Sequence, residues 1–300
     1  MQFHKILLTG TNGQVGHALQ RPLTALGDVV ALGRDQLDLS KPDDIRRVVA
    51  EIKPDIIINP AAYTAVDKAE SEPEIAYAIN AEAPRVLAEE AAKLDALLVH
   101  YSTDYVYDGT KSQPYVETDG TNPLSVYGKS KLAGEDAIRA VGLPHLILRT
   151  SWVYGAYGKN FLKTILRLAA EREELRIVAD QFGAPTSSDS IARATIAAIG
   201  AYSAEGDSGI YHFTNKGETS WYGFTKAIVE AYQYLGGQPA LKVQSAHIRA
   251  ITTAEYPTLA ARPVNSRLDC SKLKHALGVA LPSWQDAMQA VLQDVIKKEL

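Results

Sequence analysis

One cysteine, Cys270, in 300 residues leaves no partner for an intramolecular disulfide. No apolar run approaches the ~20 residues that a bilayer-spanning helix needs, and no long apolar leader precedes the first strand pattern. The expectation is therefore a cytoplasmic protein with no membrane partner. An excess of one charge is also missing: 31 Lys and Arg against 35 Asp and Glu give a net charge of −4, which offers nucleic acid no electrostatic footing. There is no repeat at a period of roughly 20–50 residues and no low-complexity tract. What remains is an ordinary globular composition, 46% hydrophobic and 22% charged. Its length suits one large α/β domain with an appendage, or two domains.

The first half alternates two patterns. "HKILLTG" (4–10), "DVVAL" (28–32), "DIIIN" (55–59), "LLVHYS" (97–102) and "HLILR" (145–149) are short, nearly continuous apolar runs, and segments with helical spacing lie between them. Continuous rather than alternating runs suit parallel strands covered on both faces, so residues 1–150 read as a doubly wound parallel sheet, a Rossmann-like dinucleotide-binding unit. After residue 150 the rhythm loosens. "NFLKTILRLAAERE", "SDSIARATIAAIG", "WYGFTKAIVEAYQYL" and "SWQDAMQAVLQDVIKK" read as helices, separated by irregular segments such as "DQFGAPTS" and "EYPTLAARPVNS". Residues 151–300 are expected to form a smaller, helix-rich and mainly substrate-binding part, with some segments returning to the sheet.

"GTNGQVG" sits between the first strand and the first helix, where a phosphate-binding loop belongs. Gly10 allows the sharp exit from the strand, Gly13 lets backbone approach a pyrophosphate, and Gly16 lets the helix pack closely; free N–H groups at the helix start then face the anion. An acid at the end of the second strand would select NAD through the ribose 2′-hydroxyl. Gly33 and Arg34 stand there instead, so Arg34 either meets a 2′-phosphate or is a solvated loop residue. Asp38 is a second candidate, for the adenine edge.

Three Tyr-x-x-x-Lys pairs occur among fifteen tyrosines. Tyr107 and Lys111 lie in "YDGTK", a turn sequence in which this spacing does not align two side chains. Tyr222 and Lys226 read as helical but fall in the second half. Tyr127 and Lys131 combine helical spacing with a place just after the strand "LLVHYS", which ends in hydroxyls. Reduction of a carbonyl by hydride leaves an alkoxide that needs a proton. A tyrosine can supply it, and an ammonium on the same helical face is expected to lower the phenol from its usual ~10. Lys129, two residues away, points elsewhere. Thr103 or Ser102 would hold the substrate oxygen.

Taken together, "GTNGQVG", "NPAAYTAVDKAESEP", "HYSTDYVYDG", "YGKSKLAGE", "RTSWVYG", "QFGAPT" and "ARPVNSRLD" resemble the dTDP-4-dehydrorhamnose reductases, extended short-chain dehydrogenase/reductases of the nucleotide-sugar class. The resemblance implies NADPH as cofactor, with NADH as an alternative, and a dTDP-linked 4-ketosugar as substrate. It places the catalytic hydroxyl, tyrosine and lysine on Thr103, Tyr127 and Lys131. The cofactor positions fall on Gly10, Asn12, Gly13, Gln14, Val15, Gly16, Asp38, Leu39, Ala62, Tyr63 and Thr64, with Tyr127 and Lys131; Arg34 joins them only from its place after the second strand. Thr103, Asp104 and Trp152 match substrate contacts, Trp152 also being readable as a core aromatic. Arg262 and Arg267 are candidates for the diphosphate. Magnesium-linked dimers occur among these reductases, but Ala18 stands at one acidic position and only Asp189 serves the later one. The expectation is a monomer or weak homodimer, with Mg2+ implied by resemblance alone.

Two rivals share these motifs. A 4,6-dehydratase needs an Asp-Glu pair directly after the hydroxyl residue, and here Asp104 is followed by Tyr105. A non-catalytic relative, the regulatory subunit of methionine adenosyltransferase, binds nucleotide; retention of Thr103, Tyr127 and Lys131 weighs against that reading.

Overall fold

A computed structural model describes residues 3–203 and 206–299. The first half runs β1 (Phe3–Leu8), α1 (Gln14–Leu23), β2 (Gly27–Ala31), α2 (Pro42–Ile52), β3 (Ile56–Asn59), α3 (Val66–Ala69), α4 (Pro73–Tyr77), α5 (Ala83–Ala92), β4 (Leu97–Thr103), α6 (Val126–Val141) and β5 (His145–Thr150). The second half follows with β6 (Val153–Tyr154), α7 (Phe161–Glu171), β7 (Leu175–Val178), β8 (Phe182–Gly183), β9 (Thr186–Ser187), α8 (Ser188–Ala201), β10 (Gly209–His212), β11 (Thr219–Ser220), α9 (Trp221–Tyr234), β12 (Ile248–Ile251), α10 (Ser271–Leu277) and α11 (Trp284–Glu299).

Six strands form one sheet in the order β10-β5-β4-β3-β1-β2, every pair parallel. The apolar runs are continuous because successive side chains enter different cores. Ile6, Leu8, Ile56, Ile58, Val99, Leu146 and Leu148 face a layer containing α1 and α8, whereas Leu7, Ile57, Leu98 and Ile147 face one containing α2, α5 and α6. Strand order reverses between β1 and β3, and there the loops beyond the strands' carboxyl ends open a crevice.

The second half divides. α8 packs on the sheet, β10 extends it beside β5, and α10 lies against β10. The remainder closes around its own core, with Leu162, Ile165, Phe224, Ile228, Trp284 and Val291 at its centre. The segment "ARPVNSRLD" then crosses back, where Asn265 Nδ2 donates to the carbonyls of Lys111 and Gln113 at 2.6 and 2.9 Å. No helix among the described residues is long and apolar enough to cross a membrane.

Candidate active site

A cavity of about 770 Å³ occupies the crevice, reaching from the glycine loop to α6. Gly10, Asn12, Gly13, Gln14 and Val15 line it from the end of β1, Arg34, Asp38 and Leu39 from the end of β2, and Ala62, Tyr63 and Thr64 from the end of β3. Thr103, Tyr127 and Lys131 line its inner end. Gly10 has φ +60°, and a Cβ on Gly16 would fall 2.1 Å from the Gly10 carbonyl oxygen, so Gly16 supports the loop from behind rather than facing the cavity. Gly13 is the N-cap of α1 without a side-chain cap, and the helix start, Gln14 and Val15, lines the cavity. Arg34 is exposed at the mouth, while Asp38 is turned inward to accept from Ser40 N and Oγ at 3.0 and 2.7 Å.

Helix α6 delivers the tyrosine and lysine. Ser125 caps it by accepting from Gly128 N at 3.2 Å, and Gly142, at φ +76°, ends it. A Cβ on Gly128 would lie 2.2 Å from the Tyr105 carbonyl oxygen, so this glycine lets the first turn close onto the segment after β4. Tyr127 then sits edge-on to Tyr105, with ring centroids 5.4 Å apart. Burial pushes its phenol up to about 12, opposed by the Thr103 side chain. The lowering by Lys131 expected from the spacing does not occur: the phenol is raised, and Lys131 is not among the groups that oppose the rise. The Lys131 ammonium is itself buried and brought down to about 8, and it is directed to the Tyr101 carbonyl (2.6 Å) and His100 Nε2 (3.1 Å).

The other two pairs have different surroundings. The Tyr107 hydroxyl accepts from Arg149 Nη1 at 2.6 Å and lies 2.9 Å from His212 Nε2, within a buried network in which Arg149 also pairs with Glu135 at 2.5 Å. Tyr222 and Lys226 are helical, on α9, with the ammonium 5.9 Å from the ring. Neither pair lines the crevice cavity.

Asp104, Trp152 and Arg262 lie outside that cavity's lining. Asp104 is buried directly behind Thr103, accepting its hydroxyl at 3.1 Å, and burial raises the carboxyl to about 6. Trp152 has φ +49° and stacks on Trp221 at 3.6 Å, both rings belonging to the second half. Arg262 pairs with Asp67 at 2.9 Å. Asp104 Oδ2, Thr150 Oγ1 and Arg262 Nη1 are buried without a hydrogen-bond partner. Arg267, by contrast, is committed to Asn265, Glu218 and the Ser112 carbonyl.

A family model described as the RmlD substrate binding domain matches residues 4–297. A dTDP-4-dehydrorhamnose reductase from Burkholderia thailandensis is 50% identical over 98% of this chain and 100% of its own, and one from Escherichia coli is 45% identical over 97% of each. The chain belongs to the dTDP-4-dehydrorhamnose reductase family. Among solved structures, the reductase from Bacillus anthracis in complex with NADP superposes with a TM-score of 0.88 at 37% identity, covering 98% of this chain and 100% of that one.

Of the two positions that resemblance ties to magnesium, only one carries an acid. Ala18 packs against the sheet core, Asp189 stands in the first turn of α8, and among the described residues no group of three or more His, Cys, Asp or Glu side chains is placed to hold an ion. Ala18 offers no oxygen and Asp189 alone is too few, so the residues of one chain do not fit Mg2+. Sequence reasoning missed two features of this reductase's site. Lys159 and Asn160 close the cavity from the second half, Asn160 Nδ2 donating to Gln14 Oε1 at 3.0 Å. Asn80 clamps the Tyr63 backbone at 2.8 and 3.0 Å and reaches Ser130 on α6 at 3.0 Å. Neither belongs to a motif, and only the folded chain brings them to the crevice.

Proposed function

We infer that the protein reduces the C4 ketone of dTDP-4-dehydro-β-L-rhamnose to dTDP-β-L-rhamnose with NADPH, in the cytoplasm, as the last step in making the rhamnose donor. The observation that carries this is one cavity, in a chain of this family, that joins the glycine loop and Arg34 at one end to Thr103, Tyr127 and Lys131 at the other. NADPH, when bound, supplies the hydride that C4 accepts. The residues fit it: the capless α1 N-terminus suits a pyrophosphate, and Arg34, outside every salt bridge among the described residues, suits a 2′-phosphate.

Thr103 turns its one hydroxyl proton from Asp104 to the ketone oxygen, and Tyr127 gives that oxygen a proton as negative charge develops there, which completes the hydroxyl. A phenol near 12 is fully protonated at neutral pH, the state a donor must be in. Lys131, one turn along the same face, has a third N–H beyond those used by Tyr101 and His100 and opposes the charge left on the phenol. The sugar nucleotide is assigned to Asp104, Trp152 and Arg262. A buried polar atom left unpaired costs about 1–3 kcal/mol; Asp104 Oδ2 and Arg262 Nη1 are such atoms, with the Ser266 and Tyr105 side chains beside them.

NADPH oxidation with dTDP-, UDP- and GDP-linked 4-ketosugars, with product stereochemistry read by NMR, tests the assignment. Turnover confined to UDP or GDP substrates, or a product other than the rhamnose configuration, overturns it.

A further inference from the structure

Behind Lys131 lies a buried polar chain that the reduction does not use. His100 Nε2 is 3.1 Å from Lys131 Nζ, and His100 Nδ1 is 3.1 Å from the Asn59 amide nitrogen. The Asn59 amide oxygen in turn accepts from Thr9 Oγ1 at 2.6 Å. Thr9 ends the β1 run beside Gly10, and Asn59 and His100 are register partners on β3 and β4. All three side chains are at most 1% exposed, so water cannot correct a mismatch among them.

The imidazole is neutral, because burial and the neighbouring lysine hold it well below its ordinary range. A neutral imidazole has one N–H and one lone pair, so its two nitrogens cannot both accept. A charged Lys131 only donates. Nε2 must then carry the lone pair and Nδ1 the proton, which requires the Asn59 carbonyl to face the ring and its NH2 to face Thr9. A neutral Lys131 can accept from Nε2–H; Nδ1 then accepts from the Asn59 NH2, and the Asn59 carbonyl accepts from Thr9. The two arrangements differ by one proton, released from Lys131, by movement of the ring proton from Nδ1 to Nε2, and by a half-turn of the Asn59 amide, whose orientation in the structure is that of the second. Each satisfies both ring nitrogens and the Asn59 carbonyl.

We propose that His100 is a positioning residue for Lys131, its tautomer locked to the lysine's charge by Asn59 and Thr9. The remaining groups around Lys131 allow this. Tyr101 offers only its carbonyl, Tyr127 is a neutral phenol, and Glu135, the nearest carboxylate, is held by Arg149 and Ser102. The charged lysine depends on an acceptor at Nε2.

The proposal rests on the reading of Lys131 given above, but its test needs neither substrate nor cofactor. Protein labelled with 15N-histidine, with His100 assigned by comparison with His100→Gln, is followed across pH. The expected result is an Nδ1–H tautomer at neutral pH that gives way to Nε2–H as pH rises through about 8, where Lys131 discharges. Lys131→Met should abolish the switch. One tautomer throughout in the unaltered protein, or a switch that survives Lys131→Met, overturns the proposal. A second arm uses turnover. His100→Leu should move the alkaline limb of kcat roughly one pH unit lower, since the ammonium loses an acceptor, while His100→Gln, whose amide oxygen can accept, should restore it. Limbs that superpose in all three proteins mean the histidine only packs.

Discussion

Tyr127 illustrates how far one side chain can be read before its surroundings are known. Helical spacing and the strand before it single it out, yet its acidity follows from burial, which the sequence does not state. Tyr127→Phe should lower kcat by roughly 10²–10⁴ while NADPH binding, followed by cofactor fluorescence, survives. The two decoys now separate. Tyr222→Phe should change neither activity nor stability. Tyr107→Phe should keep kcat but lower stability by about 1–3 kcal/mol, because it strands Arg149 and His212 in a buried network. Near-normal turnover in Tyr127→Phe would move the proton donor elsewhere. For Arg34 the expected outcome is a weaker preference for NADPH over NADH in Arg34→Ala; an unchanged ratio of kcat/KM values would make this arginine a bystander.

At the scale of elements, α6 matters because two glycines do unlike jobs. Gly128 lets its first turn press on the Tyr105 carbonyl, whereas Gly142 only ends the helix in open space. Gly128→Ala should therefore displace Tyr127 and lower both kcat and the denaturation midpoint, by about 1–3 kcal/mol in stability. Gly142→Ala should cost about 1 kcal/mol through its left-handed backbone and leave kcat alone. Equal kcat in the two variants would mean that the closeness of α6 to the β4 exit is not what sets the site. The parallel strands were legible because both faces are buried, which writes Ile56, Ile57 and Ile58 as one unbroken run. The glycine loop and the Tyr127 helix were legible because each motif is local. Asn80, Asn160 and the committed contacts of Arg267 were not, since each depends on which distant backbone arrives beside it.

For the molecule as a whole, the buried titratable groups make stability depend on pH in a direction that can be worked out. His100, His145 and His212 are buried neutral, with desolvation holding each below its ordinary value and His212 at about 3. In the unfolded chain each takes a proton near ~6.5. Below that pH the unfolded state binds more protons than the folded one, so stability falls as pH drops. Asp104 acts in the opposite sense: its folded value of about 6 exceeds the unfolded ~3.9, so between those values the folded state binds the extra proton and gains stability on acidification. Three histidines oppose one carboxyl. Carboxylates held low in the fold, such as Asp108, add to the loss only once the unfolded carboxylates begin to titrate near ~4. The urea midpoint should therefore decline between pH 7 and pH 5, where the histidines dominate. Asp104→Asn removes the opposing group while keeping an acceptor for Thr103, so it should raise the midpoint at pH 7 and steepen the decline below pH 6. A midpoint that is flat or rises toward pH 5 in the unaltered protein would mean that the three imidazoles are not held neutral by the fold.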